Sequence, residues 1–141
     1  MIQLKTFYFN PYRECTYVLW EAGKQECVLI DAGMYGEREE ERLRTFLSSE
    51  KLVPVTLLIT HTHTDHVCGI DFVQKAYGIS PIIFPAEGEL EAGGMRFQVL
   101  RTPGHKEDSL YATTYLLRNG YSRATPYFKS LLGAPTCLEE T

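Results

Sequence analysis

The strongest constraint on this chain is a junction between two unlike segments. Val53-Pro54-Val55-Thr56-Leu57-Leu58-Ile59 is a continuous apolar run of strand length, and Thr60-His61-Thr62-His63-Thr64-Asp65-His66 follows with no spacer. The apolar run reads as a buried strand. Side chains placed just past the end of such a strand are held rigidly and face a crevice. Three of the chain's four histidines and one carboxylate fall within the six residues 61–66. Neutral imidazole and carboxylate form the ligand set expected for zinc and related borderline metals. His61 and His63 are two residues apart in extended chain, so their rings point the same way. Asp65 and His66 turn with the chain and can reach an adjacent metal position. The competing reading is a solvated loop that is merely rich in histidine.

Val99-Leu100-Arg101-Thr102-Pro103-Gly104-His105 repeats the pattern as strand, Pro-Gly turn and histidine. His105 alone would be an ordinary surface residue. Its strand-end placement makes it the candidate third ligand beside His61 and His63.

The rest of the chain reads as strands mixed with helices, which indicates an α/β (α+β) layered fold. Strands are predicted over 3–9, 15–20 and 26–30, with a turn at Glu21-Ala22-Gly23-Lys24. A helix is predicted over 37–49, with acidic residues in its first turn and Leu43, Phe46 and Leu47 on one stripe. A second helix runs from about 65 to 77, carrying Ile70, Phe72, Val73 and Ala76. Further strands are expected at 79–84 and 95–100, the latter after the turn Ala92-Gly93-Gly94.

At 141 residues the chain is at most one domain, with room for a sizeable core. A net charge of -4 and the lack of any Lys/Arg cluster argue against a nucleic-acid surface. No apolar run reaches membrane-spanning length, and the Met1-Ile2-Gln3-Leu4-Lys5 start has no following apolar core. Cys15, Cys27, Cys68 and Cys137 are scattered with no C-x-x-C pair, which suggests reduced thiols and a cytoplasmic setting. Cys68 reads as a small core residue on the second helix.

The histidine motif, with Ile30-Asp31-Ala32-Gly33 upstream, resembles the metallo-β-lactamase superfamily of hydrolases, whose H-x-H-x-D-H pattern it matches completely. The resemblance begins near Phe9-Asn10-Pro11, runs through Thr16-Tyr17-Val18-Leu19 and continues to Leu110, where the chain is similar to small glyoxalase II-like members. It implies an αββα layered sandwich. It also implies that His61, His63 and His105 bind one metal and that Asp65 and His66 contribute to another. Asp31, with Thr60, would support the metal loop from behind. One or two zinc ions are implied, though His/Asp sets also suit iron and manganese. The implied chemistry is attack by a metal-activated hydroxide on a small-molecule thioester or ester, as in a hydroxyacylglutathione hydrolase, with Asp65 orienting the water. A lactonase, a β-lactamase and an iron-dependent sulfur dioxygenase use the same scaffold. The segment between Ile83 and Glu87 is shorter than its family counterpart, which bears on the pocket. Oligomeric state is left open.

After His105 the family pattern needs a bridging aspartate in a T-G-D or S-G-D motif and a late histidine. No histidine follows His105 and no aspartate follows Asp108. Degenerate codons for Gly120 to Phe128, read from their third base, permit L-F-S-G-D-T-L-F, which resembles the missing motif. The same shift from the end of the Leu132 codon permits G-R-T-D-L-P-G-G-D, and across Tyr111 to Thr114 it permits C-Y-Y. We therefore expect 1–110 to be a partial domain of the family, its first half joined to an incomplete second half. Residues 111–141 are expected to be an aberrant, out-of-frame tail, irregular or a marginal short helix beyond the first few residues. Two ligands short, the chain is expected to hold at most one metal tightly, at a point where His61, His63 and His105 converge. The rival reading is an inactive truncated fragment that binds metal weakly or not at all. A redox module would require a flavin partner domain.

Overall fold

Alternation along the central strands decides the layering. The computed structural model describes residues 1–83 and 85–102 and the strands 112–118 and 124–128. The chain opens with β1 (Ile2–Phe9), β2 (Glu14–Glu21) and β3 (Glu26–Ile30), followed by α1 (Glu37–Ser49) and β4 (Val53–Leu58). Two short helices, α2 (Thr64–Val67) and α3 (Ile70–Tyr77), lead to β5 (Pro81–Ile82). These five strands form one sheet in the order β1-β2-β3-β4-β5, antiparallel up to β3 and parallel beyond it. A second, antiparallel sheet contains β6 (Gly88–Ala92), β7 (Met95–Thr102), β8 (Ala112–Arg118) and β9 (Ala124–Phe128).

Successive residues of β3 go to opposite faces. Cys27 and Leu29 pack with Leu43 and Leu47 of α1 and Val73 of α3, whereas Val28 and Ile30 pack with Met95, Phe97 and Val99 of β7. β2 divides likewise into Val18 and the pair Tyr17 and Leu19, and β4 into Leu57 and Leu58. The first sheet thus lies between a helical layer and the second sheet. A strand covered on both faces has no polar side to show, which accounts for the unbroken apolar run before Thr60.

Local chemistry fixes the joints. Glu37, Glu39 and Glu40 occupy the positive end of α1, and Leu43 and Leu47, one helical turn apart, are its buried residues. Pro54 has no N–H to give the ladder, and the β3–β4 register slips beside it, so that Cys27 faces Pro54 but Val28 faces Thr56. The β6–β7 hairpin turns on Gly93 and Gly94, with φ of 57° and 73°. Two successive positive φ values are the backbone that glycine adopts most readily.

The mixed α/β layering is as expected, and α1 and β3 have the expected bounds. Several elements differ. The expected helix over 65–77 is two helices, because Gly69 donates to Ala32 O at 2.8 Å and packs against Met34. Strand β6 was not anticipated, since Glu89 and Glu91 are exposed on a short edge strand with little apolar pattern. Among the described residues of the expected 79–84 strand, Pro81 and Ile82 pair with β4. The expectation of an irregular tail is corrected for 112–118 and 124–128. β8 lies along β7 from Thr102↔Ala112 to Arg96↔Arg118, and β9 adds to β8. A strand edge such as that of β7 is a template for any β-compatible chain, and Tyr115-Leu116-Leu117 supplies one. Cys15 is disulfide-bonded, which corrects the expectation of reduced thiols throughout, while Cys27 and Cys68 are free. Among the described residues no helix is long and apolar enough to cross a membrane.

Phe97 is fully buried between the two sheets. Phe97→Ala should destabilise the chain by about 3–5 kcal/mol in denaturant unfolding. A cost below about 1 kcal/mol, the range of surface substitutions, would mean that the second sheet is not packed on the first.

Candidate metal centre

Strands β3 and β4 run parallel, so the loops that follow them leave the sheet on the same side. Asp31 follows β3 directly and lies in the left-handed region (φ 63°), which a short polar side chain tolerates. Its N–H donates to Leu58 O at 2.8 Å, tying it to the end of β4. Its buried carboxylate is then filled from the metal-type loop. Thr60 N donates to Oδ1 at 2.8 Å and Thr60 Oγ1 to Oδ2 at 2.6 Å. His66 Nδ1 lies 2.7 Å from Oδ2. Backbone bonds add to this, Ala32 N to His66 O at 2.9 Å and Gly69 N to Ala32 O at 2.8 Å.

Proton accounting assigns the tautomers. Thr60 has one hydroxyl proton and gives it to Asp31, so His61 Nδ1, 2.9 Å from Thr60 Oγ1, must be the donor of that pair. His66 Nδ1 faces a carboxylate and is also a donor. In both neutral rings the lone pair therefore sits on Nε2, the atom a metal would take. Potential ligand atoms of Asp31, His61 and His66 all lie within 4.8 Å of one another. The ring centroids of His61 and His66 are 4.0 Å apart, and those of His61 and His63 are 4.7 Å apart. Two imidazoles with an adjacent carboxylate suit a borderline divalent cation, so the residues present fit the group the resemblance implies.

The structure thus brings His61, His63, Asp65 and His66 together on one loop, with Asp65 Oδ2 3.4 Å from His66 Nε2. Asp31, not Asp65, joins His61 and His66 in the compact group, meeting His66 at Nδ1. Thr60 stands between Asp31 and His61. His105 lies outside the described residues. Cys68, expected in the core, is exposed at the end of α2, its thiol 3.6 Å from Met34 O. Partial burial, followed by the charge of Glu14, pushes that thiol up, away from thiolate reactivity.

Sequence reasoning missed the far wall of the site. Glu14 opens β2 with 3% exposure and accepts Thr16 Oγ1 at 2.8 and 3.0 Å, while Thr16 Oγ1 accepts Gly33 N at 3.1 Å. Asn10, with φ 53°, donates its side-chain amide to Asp65 O at 2.9 Å and Gly33 O at 3.1 Å. Its backbone N–H meets the Glu39 carboxylate at 2.7 Å. A signal was present, because Glu14 and Thr16 are polar residues on the buried face of a largely apolar strand. Their partners could not be read from it.

Burial drives the Glu14 carboxyl well above the ordinary value, helped by the charges of Asp31, Asp65 and Glu39 and opposed by Thr16. Burial alone would lower His66, but the hydrogen bond and charge of Asp31, with the charge of Asp65, outweigh it and raise the imidazole. Both groups hold a proton more tightly folded than unfolded. The metal-free chain should therefore lose stability as pH rises, first above 4.5 on account of Glu14 and then above 6.5 on account of His66, through their raised values. Thermal melts of the chelated protein between about pH 5 and pH 8 should show a falling midpoint. A midpoint that rises steadily across that interval would refute this account.

A family model described as metallo-beta-lactamase superfamily matches residues 13–133. Hydroxyacylglutathione hydrolase of Yersinia enterocolitica is 28% identical over 122 residues, covering 75% of this chain and 47% of that protein. The chain spans about half the length of that curated relative or less of others, such as the Xylella fastidiosa (strain M23) hydroxyacylglutathione hydrolase, 35% identical over 75 residues, 44% of this chain and 29% of that protein. Among solved structures, BLEG-1 B3 metallo-beta-lactamase superposes with a TM-score of 0.71 at 24% identity, over 82% of this chain and 67% of that one.

Proposed function

The chain belongs to the metallo-beta-lactamase superfamily, and from that premise we propose a metal-dependent hydrolase acting on a small thioester or ester of the hydroxyacylglutathione type. The observation that carries this is the tautomer relay, in which Asp31 and Thr60 consume the Nδ1 protons of His66 and His61 and leave both Nε2 atoms as donors to a cation. His61, His63 and His105 would hold one ion, and Asp65 and His66 would contribute to a second. A divalent cation, when bound, acidifies water and polarises a carbonyl. Asp65 supplies the proton acceptor, since its carboxylate is 26% exposed and lies at the Nε2 edge of His66. Asp31, 1% exposed and saturated with donors, holds the imidazoles in place instead. Zinc is the ion we propose, with iron and manganese served by the same donors. The glutathione-type thioester is favoured by the names of the curated relatives.

A second reading has its own support. The sequence beyond Asp108 offers no aspartate or histidine to complete a two-metal site. The shifted codons of 120–128 and 132–141 spell family-like motifs. We propose that the parent gene encodes the hydrolase and that 111–141 is read out of frame, so that these residues bring none of the family's late ligands. Sequencing the gene around codon 110 tests this directly, because an intact family-like frame should resume there after a one-nucleotide shift.

For the chain itself, dialysis against chelator and reloading with zinc, iron or manganese should leave at most one equivalent tightly retained. Hydrolysis of an S-acylglutathione should follow the metal content, and Asp65→Asn should lower kcat by about 10²–10⁴-fold. A chain that retains no metal and hydrolyses neither thioester nor ester would establish the fragment reading.

A further inference from the structure

Glu14 is not among the ligands the motif supplies, yet the centre is shaped around it. Its carboxylate takes the one proton of Thr16 Oγ1, and Thr16 in turn takes the N–H of Gly33, two residues beyond Asp31. The carboxylate also fills the room that Gly33 leaves by having no side chain. A Cβ at Gly33 would overlap Glu14 Oε2 and would sit 2.7 Å from Asp65 O. On its other side, Glu14 Oε1 is 3.7 Å from His66 Nδ1, the atom that Asp31 contacts at 2.7 Å.

A residue that only filled this space would not need a charge. Glutamine has the same size and could accept the Thr16 bond without the large cost of burying a carboxylate. Among the described residues, the ion-pair partner of Glu14 is the His66 ring, and no lysine or arginine pairs with it. The carboxyl group therefore faces a metal-type ligand and not a structural counter-ion.

We propose that Glu14 is a positioning residue of the metal centre, a second carboxylate behind His66 that also fixes the Gly33 backbone against Asp65. Asp31 supplies the hydrogen bond that orients the ring. Glu14 places a second carboxyl group at the same edge and, through Thr16, holds the Asp31–Gly33 turn at its distance from the metal loop. This rests on the metal-site reading above.

The test uses the full chain with cobalt(II) as a spectroscopic probe and zinc in competition. Glu14→Gln keeps the volume and the Thr16 bond but removes the acidic group. Thr16→Val keeps the carboxyl but cuts its link to Gly33. We expect Glu14→Gln to weaken zinc about 10–100-fold, the range for residues behind a ligand, and to shift the cobalt absorption bands. Its metal-free melting temperature should stay level or rise, because the amide fills the same buried place without an acidic group to desolvate. Thr16→Val should weaken zinc as well, and it decides the matter alone if Glu14→Gln does not fold. A purely structural Glu14 would do the opposite, lowering the metal-free melting temperature while leaving the cobalt spectrum of the folded protein unchanged. Unaltered zinc affinity in the folded variants, or loss fully matched by lost metal-free stability, overturns the proposal. A parent chain whose cobalt spectrum is absent, or insensitive to His61→Ala, removes the metal-site reading and this inference together. Normal parent binding with unaffected variants removes this inference alone.

Discussion

The site depends on one carboxylate. Asp31 stands where two parallel strands end side by side, and it accepts the Thr60 N–H, the Thr60 hydroxyl and the His66 ring. A buried carboxylate without such donors would be very costly, and these donors without it would be stranded. The result is a loop whose geometry is over-determined. The tautomer of His61 is set at one remove, through Thr60. A cation would meet imidazoles already turned to it, so little ordering cost falls on the binding step.

That arrangement needs a rigid base, which the layering provides. Strands β3 and β4 are buried on both faces, by α1 and α3 on one side and by the second sheet on the other. Moving either strand end would disturb two packed interfaces at once. Gly69 and Gly33 mark where backbone comes too close for a side chain, Gly69 against Ala32 and Met34, Gly33 against Glu14 and Asp65. Both contacts bind the metal loop to the turn after β3.

The wall opposite the histidines is acidic. Burial, with the charges of Asp31, Asp65 and Glu39, raises the Glu14 carboxyl, and the imidazole of His66 lies beside it. Such an arrangement works against the metal-free fold. A bound cation would reverse the balance, so stability and metal content should be linked in this chain.

The sequence by itself determined the strand-length apolar run, the histidine motif at its end, the helix over 37–49 and the mixed layered class. Each is a local pattern, and local periodicity and residue chemistry suffice to read it. It also determined the family, because six residues at fixed spacing carry that information. It did not determine that Asp31 would join His61 and His66, that Asn10 would hold the Asp65 carbonyl, or that Glu14 would face the ring of His66. Those pairs lie 30–55 residues apart in the chain, and only the stacking of strand ends brings them together. The same holds for 112–118 and 124–128, where weak local patterns become strands because β7 offers an edge to pair with. Periodicity reports how a segment meets its surroundings on average, but a hydrogen bond needs particular atoms at a particular distance, which only tertiary packing supplies.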